Sequence, residues 1–208
     1  MDLHVPHGPI ASLKDFLLHI GIVTIGILIA LGLEQVVEAV HRAHLAAEAV
    51  DGFRRELADD RKQLQEVVAA MPALRSDIDA EIARLTTPPV NDGKPRLPIK
   101  YPGVKLDLVQ HASWEAAVAT QALGELPYES VNRFAQAYDA FRLFEDEERT
   151  GLTQWHELHR FGDDRAALTP EQTQALVERL RAYRHTAETI EWLGNHTIEI
   201  CDQTLAVG

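Results

Sequence analysis

The chain is poor in cysteine, in basic charge and in catalytic motifs, and each shortage closes off a class of function. Cys201 is its one cysteine, so no intramolecular disulfide can form and cysteine usage does not fix the compartment. Lys and Arg total 20 against 32 Asp and Glu, a formal net charge of −12 over 208 residues. A surface that acidic repels phosphate backbones, which argues against a nucleic-acid partner. There is no Gly-x-Ser-x-Gly elbow, no Gly-x-x-x-x-Gly-Lys phosphate loop and no His-Glu-x-x-His helix, so the common hydrolase, nucleotide and zinc-protease signatures are missing. Strand-like alternation and internal repeats do not stand out either. Apolar residues nevertheless make up 46% and charged residues 25%, the balance of a chain that packs rather than stays disordered.

One feature is abundant where others are scarce. The stretch "IGIVTIGILIALGLEQ" belongs to a run of eighteen residues, Phe16 to Leu33, whose only polar members are His19 and Thr24. As a helix it would be ~27 Å long, close to the ~30 Å hydrocarbon core of a bilayer. A water-soluble helix so apolar on every side needs burial all round, which a domain of this size rarely provides. A membrane span is therefore expected over 13–33, after a short tail at 1–12. A cleavable export signal is the competing reading, because Ala30-Leu31-Gly32 resembles a cleavage site. Lys14 is cancelled by Asp15, however, so the basic leader is nearly absent and a retained anchor is expected. The charges flanking the span do not set its orientation. The short tail before an early span favours a periplasmic domain on a bacterial inner membrane.

Beyond the span, Val36, Ala43, Val50, Leu57, Leu64 and Met71 recur every seven residues, flanked by Leu33, Val40, Ala47 and Val68. No proline interrupts Leu13 to Met71. A heptad this long implies a helix that leaves the bilayer and packs in coiled-coil fashion. Arg54, Asp60 and Arg61 intrude on the seam, which points to an ordinary bundle rather than a strict two-stranded coil. Pro72 is expected to break or kink the helix, with a shorter helix from about Ala73 to Leu85. Residues 86–107 hold five of the ten prolines and form a loop, with Lys94, Arg96, Lys100 and Lys105 as a basic island. Its natural partner would be the run Glu145-Asp146-Glu147-Glu148, but two independently solvated charged segments are the expected reading.

Three further helices are expected. Val109, Ala112, Ala116, Ala119 and Leu123 form one narrow apolar face ended by Gly124. Pro127 suits a first helical position, ahead of Val131, Phe134, Tyr138, Phe141, Leu152 and Trp155. Thr169-Pro170-Glu171-Gln172 reads as a capped helix start, followed by a face of Leu176, Leu180, Tyr183, Ala187, Ile190 and Cys201. The expected fold class is all-α: one N-terminal transmembrane helix continuing into a long amphipathic helix, packed in an antiparallel helical bundle over 34–208.

At "VTIGILIALGLEQ" and "SWEAAVATQALGELPYESVNRFAQAY" the chain resembles a group of uncharacterised bacterial single-span membrane proteins, a domain-of-unknown-function family. The resemblance is best over residues 3–60 and 113–138. It implies an N-terminal anchor with a helical domain and brings no catalytic residue with it.

Candidate sites are few. Glu38-x-x-His41 has the spacing of one half of a carboxylate-bridged di-iron site, which needs two such motifs. His156 and His159 could form half of a zinc site but lack a third ligand; His196 and Glu199 are in the same position. No metal or cofactor is expected. Trp114, Tyr128 and Trp155 are expected as aromatic anchors between helices, and Cys201 as a buried inert thiol. In the span, Gly26 and Ala30 form a small-x-x-x-small pair that lets helices approach closely in lipid. With Leu33 they make a membrane-helix packing face, and Gly26, Leu33, Val40 and Ala47 fall at seven-residue steps. The expected function is a non-catalytic, self-associating scaffold or accessory subunit whose partners are the lipid bilayer and its own copies. A membrane-anchored module that senses or binds a small molecule is the alternative.

Overall fold

With no strong helix breaker before Pro72 and an apolar residue every three or four positions, the first third of the chain favours a single helix. The computed structural model describes residues 13–87, 98–103, 109–162, 164 and 168–207. In it this stretch is one element, α1 (Leu13–Thr86). Three more helices follow: α2 (Ala112–Ala119), α3 (Tyr128–Leu158) and α4 (Pro170–Ala206). Short 3₁₀ turns occupy Ala122–Glu125 and His159–Phe161, and no strand occurs among the described residues.

Three expected boundaries are corrected. Pro72 does not divide the helix: it lies inside α1, so the separate helix over 73–85 does not exist. The proline is exposed while Met71, Leu74 and Ile78 on the opposite side are buried. Its ring thus lies away from the core, and core packing on both sides carries the helix through. The helix expected from Val109 to Leu123 is also shorter. It ends at Ala119, because Gln121 adopts a left-handed conformation with φ 60°, and Gly124 falls within the 3₁₀ turn. Pro127 caps α3 from outside instead of taking its first position.

The start of α4 is as expected. Thr169 Oγ1 accepts from Gln172 N at 3.2 Å, and Thr169 N donates back to Gln172 Oε1 at 2.8 Å, with Pro170 opening the helix. Two of the orphan amides at the helix start are satisfied reciprocally.

The chain divides into two compact units at Glu48/Ala49. The first carries the apolar part of α1, and its large apolar side chains from Leu13 to Val40 are exposed. The second holds the core. Along α1 the buried positions there include Phe53, Leu57, Asp60, Leu64, Val67, Met71, Leu74, Ile78, Glu81 and Leu85, alternating steps of four and three, with Glu56 buried beside Leu57. Along α4 Leu176, Leu180, Tyr183, Ala187, Ile190, Gly194, Thr197, Cys201 and Thr204 are buried with the same alternation, and Val177 and Thr186 widen the stripe. Such spacing keeps one stripe of a helix turned to its neighbours over many turns.

Ion pairs border this core. Arg61 meets Asp202 at 2.5 Å, Arg75 meets Glu191 at 2.6 Å, and Arg184 Nε meets Asp79 at 2.7 Å. As residue numbers rise along α1 they fall along α4. The same order holds between α3 and α4, where Thr197 Oγ1 donates to Ala140 O at 3.4 Å and Arg179 pairs with Glu157. Half-exposed pairs of this kind contribute little stability but fix register. Gly194 of α4 faces both α1 and α3: a Cβ built on it would lie 2.4 Å from Val68 and 3.3 Å from Phe144.

Candidate functional site

The short helix α2 has no side-chain cap of its own, since His111 precedes it without a capping bond. The cap comes from α1. Glu56 Oε2 accepts from Ser113 N at 2.7 Å, and one turn further along α1 Asp60 accepts from Gln110 N at 3.2 Å. Their four-residue spacing puts both carboxylates on one helical face, and negative charge is favourable at a helix start. Gly52 makes room: a Cβ there would lie 3.1 Å from Ser113 Oγ. His111 is held in turn by Glu145 of α3, Nε2 to Oε2 3.1 Å.

Behind these carboxylates lies an aromatic cluster. The Phe53 ring stands 5.6 Å from Trp114, 5.0 Å from Phe134 and 6.0 Å from Tyr138, and Trp114 stands 5.2 Å from Tyr138. Tyr138 is fully buried. Burial first, then the charges of Glu56 and Asp60, raise its phenol well above the ordinary tyrosine range, so it stays neutral. Cys201 is buried as well, and desolvation, with Asp202 and Asp60 adding to it, pushes its thiol up to about 12. A thiol so placed is a poor nucleophile. In the folded protein Cys201 should therefore resist a maleimide at pH 8 for hours, and label within minutes in denaturant. Rapid stoichiometric labelling of the native chain would contradict this placement.

A second aromatic group holds the segment 98–103. Trp155 Nε1 donates to Tyr101 O at 3.3 Å, Tyr101 OH donates to Gly162 O at 2.5 Å, and His159 packs on both rings at 4.4 and 4.6 Å. His159 thus packs on two rings although it is exposed, and His156, also exposed, lies against the Trp155 ring at 5.1 Å. Beside this segment Asp77, Glu81, Arg84, Lys100, Tyr101 and Pro102 line an open cleft of about 520 Å³. Arg84 is engaged there with Glu81 at 2.5 Å and with Pro98 O at 2.7 Å.

The aromatic anchors expected from sequence separate here. Trp114 and Trp155 pack as described. Tyr128 does not: it is 81% exposed at the first residue of α3. It stands six residues ahead of the first buried side chain, Phe134, which puts it on the solvent side of the turn. Of the basic island, Lys94, Arg96 and Lys105 lie outside the described residues; the partner of Glu145 among the described residues is His111. His196 and Glu199 approach to 3.9 Å on the surface of α4. No group of three metal-ligating side chains occurs among the described residues.

Gly26, Ala30 and Leu33 lie in the exposed apolar part of α1, where a Cβ on Gly21, Gly26 or Gly32 would meet nothing within 4 Å. α1 is the one described helix long and apolar enough to cross a membrane, and none of its most apolar eighteen residues is buried.

Sequence reasoning missed Glu56 and His111. Asp60 was visible only as a charge intruding on an apolar seam, and Glu56 resembles any solvated acid until Ser113 is seen above it.

Comparison with known proteins returns no match: no family model, no curated protein and no solved structure is significantly similar to this chain.

Proposed function

We propose that this protein is a non-catalytic, self-associating scaffold or accessory subunit, anchored in a bacterial inner membrane by the first part of α1 and carrying an antiparallel helical bundle outside it. The observation that carries the reading is the exposure of every large apolar side chain from Leu13 to Leu33. A core helix of a soluble protein would bury such a run, and water is a poor solvent for it; hydrocarbon is the medium that matches it. The opposite order of partners along α1 and α4 supports the antiparallel bundle. The buried polar groups support a structural role: Glu56 and Asp60 hold backbone amides, and burial keeps Tyr138 and Cys201 protonated.

The test is fractionation of cells expressing the full chain, followed by an alkaline carbonate wash. The protein is expected to stay in the membrane pellet and to be released by detergent. Recovery in the wash, or a mature N-terminus at Leu33, would overturn the anchor. The cleft beside Lys100 favours a second reading, a small-molecule-binding module. A stoichiometric small molecule found by native mass spectrometry, and lost on Lys100→Ala, would establish that reading instead.

A further inference from the structure

We infer that two copies of this chain pair in parallel through a stripe on α1 just beyond the membrane, Leu33, Val36, Val40, Ala43 and Ala47, and not through the heptad face further along the helix. The inference rests on the reading of α1 as a membrane anchor and names the surface through which the anchored chains associate.

The seven-residue repeat of α1 has two fates. From Phe53 onward its apolar stripe is already used: Leu57, Leu64 and Met71 are buried within the chain's own core. The positions in step with Leu33 and Val40 become Arg54, Arg61 and Arg75 there. Arg61 and Arg75 pair with carboxylates of α4, and Arg54 donates to the Val207 carbonyl at 3.3 Å. No second helix can seat on that face without displacing α4. Before Glu48 the same repeat stays apolar and exposed: Leu33, Val36 and Val40 are 64%, 61% and 66% exposed.

Charge placement selects the occupant. With Leu33, Val40 and Ala47 as the first position of each heptad and Val36 and Ala43 as the fourth, the flanking fifth and seventh positions are Val37, His44, Gly32, Ala39 and Ala46. Glu34, Glu38, Arg42 and Glu48 all fall on the far side. Arg42 pairs with Glu38 at 3.6 Å and His44 with Glu48 at 3.2 Å within the same helix. In a parallel pair, first positions meet first positions and fourth meet fourth at the same depth. Between Ile29 and Ala43 no like charges would then be opposed. The stripe is complementary to itself, and the anchor presents a second copy at the right height and in the right direction. Headgroup-level lipid is the weaker occupant, because helices that lie in that layer carry Lys and Arg on their polar face. Here three acids accompany one arginine. In register with the stripe, Gly26 and Ala30 continue the seam into the hydrocarbon with small side chains.

The test is disulfide crosslinking of the full chain in carbonate-washed native membranes. Single cysteines are placed at Val36 or Val40 on the seam, and at Glu38 or Arg42 on the far side. The wild type, whose one thiol is buried, is the blank. Facing core positions bring Cβ atoms near the separation a disulfide needs. Val36→Cys and Val40→Cys are expected to give a covalent dimer at least about tenfold more readily than Glu38→Cys and Arg42→Cys. Equal crosslinking on both sides, a dimer from the far side only, an adduct to a different protein, or no adduct at all would each overturn the seam. Loss of the chain from the washed pellet would overturn the anchor instead, so the two failures are distinguishable.

Discussion

Replacement of Phe53 by alanine is expected to destabilise the helical domain by about 3–5 kcal/mol, the range for removing a buried aromatic from a core that cannot collapse around the gap. Phe53 is fully buried and its ring meets three others, those of Trp114, Phe134 and Tyr138. Packed aromatic pairs add to the burial itself. The loss also propagates along the chain, since Trp114 belongs to α2, whose start depends on Glu56 one turn further along α1. In detergent, the melting temperature read from tryptophan fluorescence should fall by roughly 6–20 °C, at the usual 2–4 °C per kcal/mol for domains of this size. Phe53→Leu keeps most of the volume and should cost well under half as much. A fall below about 2 °C for the alanine variant would mean that this cluster is not the centre of the core.

Valine at Gly194 should be comparably damaging for the opposite reason. A Cβ there would come within 2.4 Å of Val68 Cγ2, 3.3 Å of Phe144 and 3.4 Å of Leu64. Val68 is β-branched and cannot swing away freely, so either α1 or α4 must shift. Overpacking of this kind costs about 1–3 kcal/mol per added group and outweighs the ~1 kcal/mol that alanine gains over glycine in a helix. Gly194→Ala is thus expected to be destabilising, and Gly194→Val to lose about 3 kcal/mol or more. The assignment to one contact is checked by a double-mutant cycle. Val68→Ala should restore most of what Gly194→Ala loses, whereas additive losses would place the clash elsewhere.

The sequence alone determined what depends on neighbours along the chain. A helix start needs only Thr169, Pro170 and Gln172 in order, because every bond of the capping box closes within four residues. The apolar run to Leu33 is equally local, and so is the heptad spacing, which is a property of helical geometry. The buried face of α4 was therefore legible down to Cys201. What the tertiary structure decided depends on groups brought together from far apart. Pro72 is tolerated because the core holds α1 on both sides of it, a cost that local rules register and an offset that they do not. The start of α2 is capped by carboxylates more than fifty residues earlier, and no spacing rule connects Ser113 with Glu56. Tyr128 and Trp114 look alike as aromatic residues near helix starts, yet only the one under which α1 passes is packed. The same repeat along α1 is core after Phe53 and exposed before Glu48, because periodicity specifies that a face will be covered, and only the fold specifies by what.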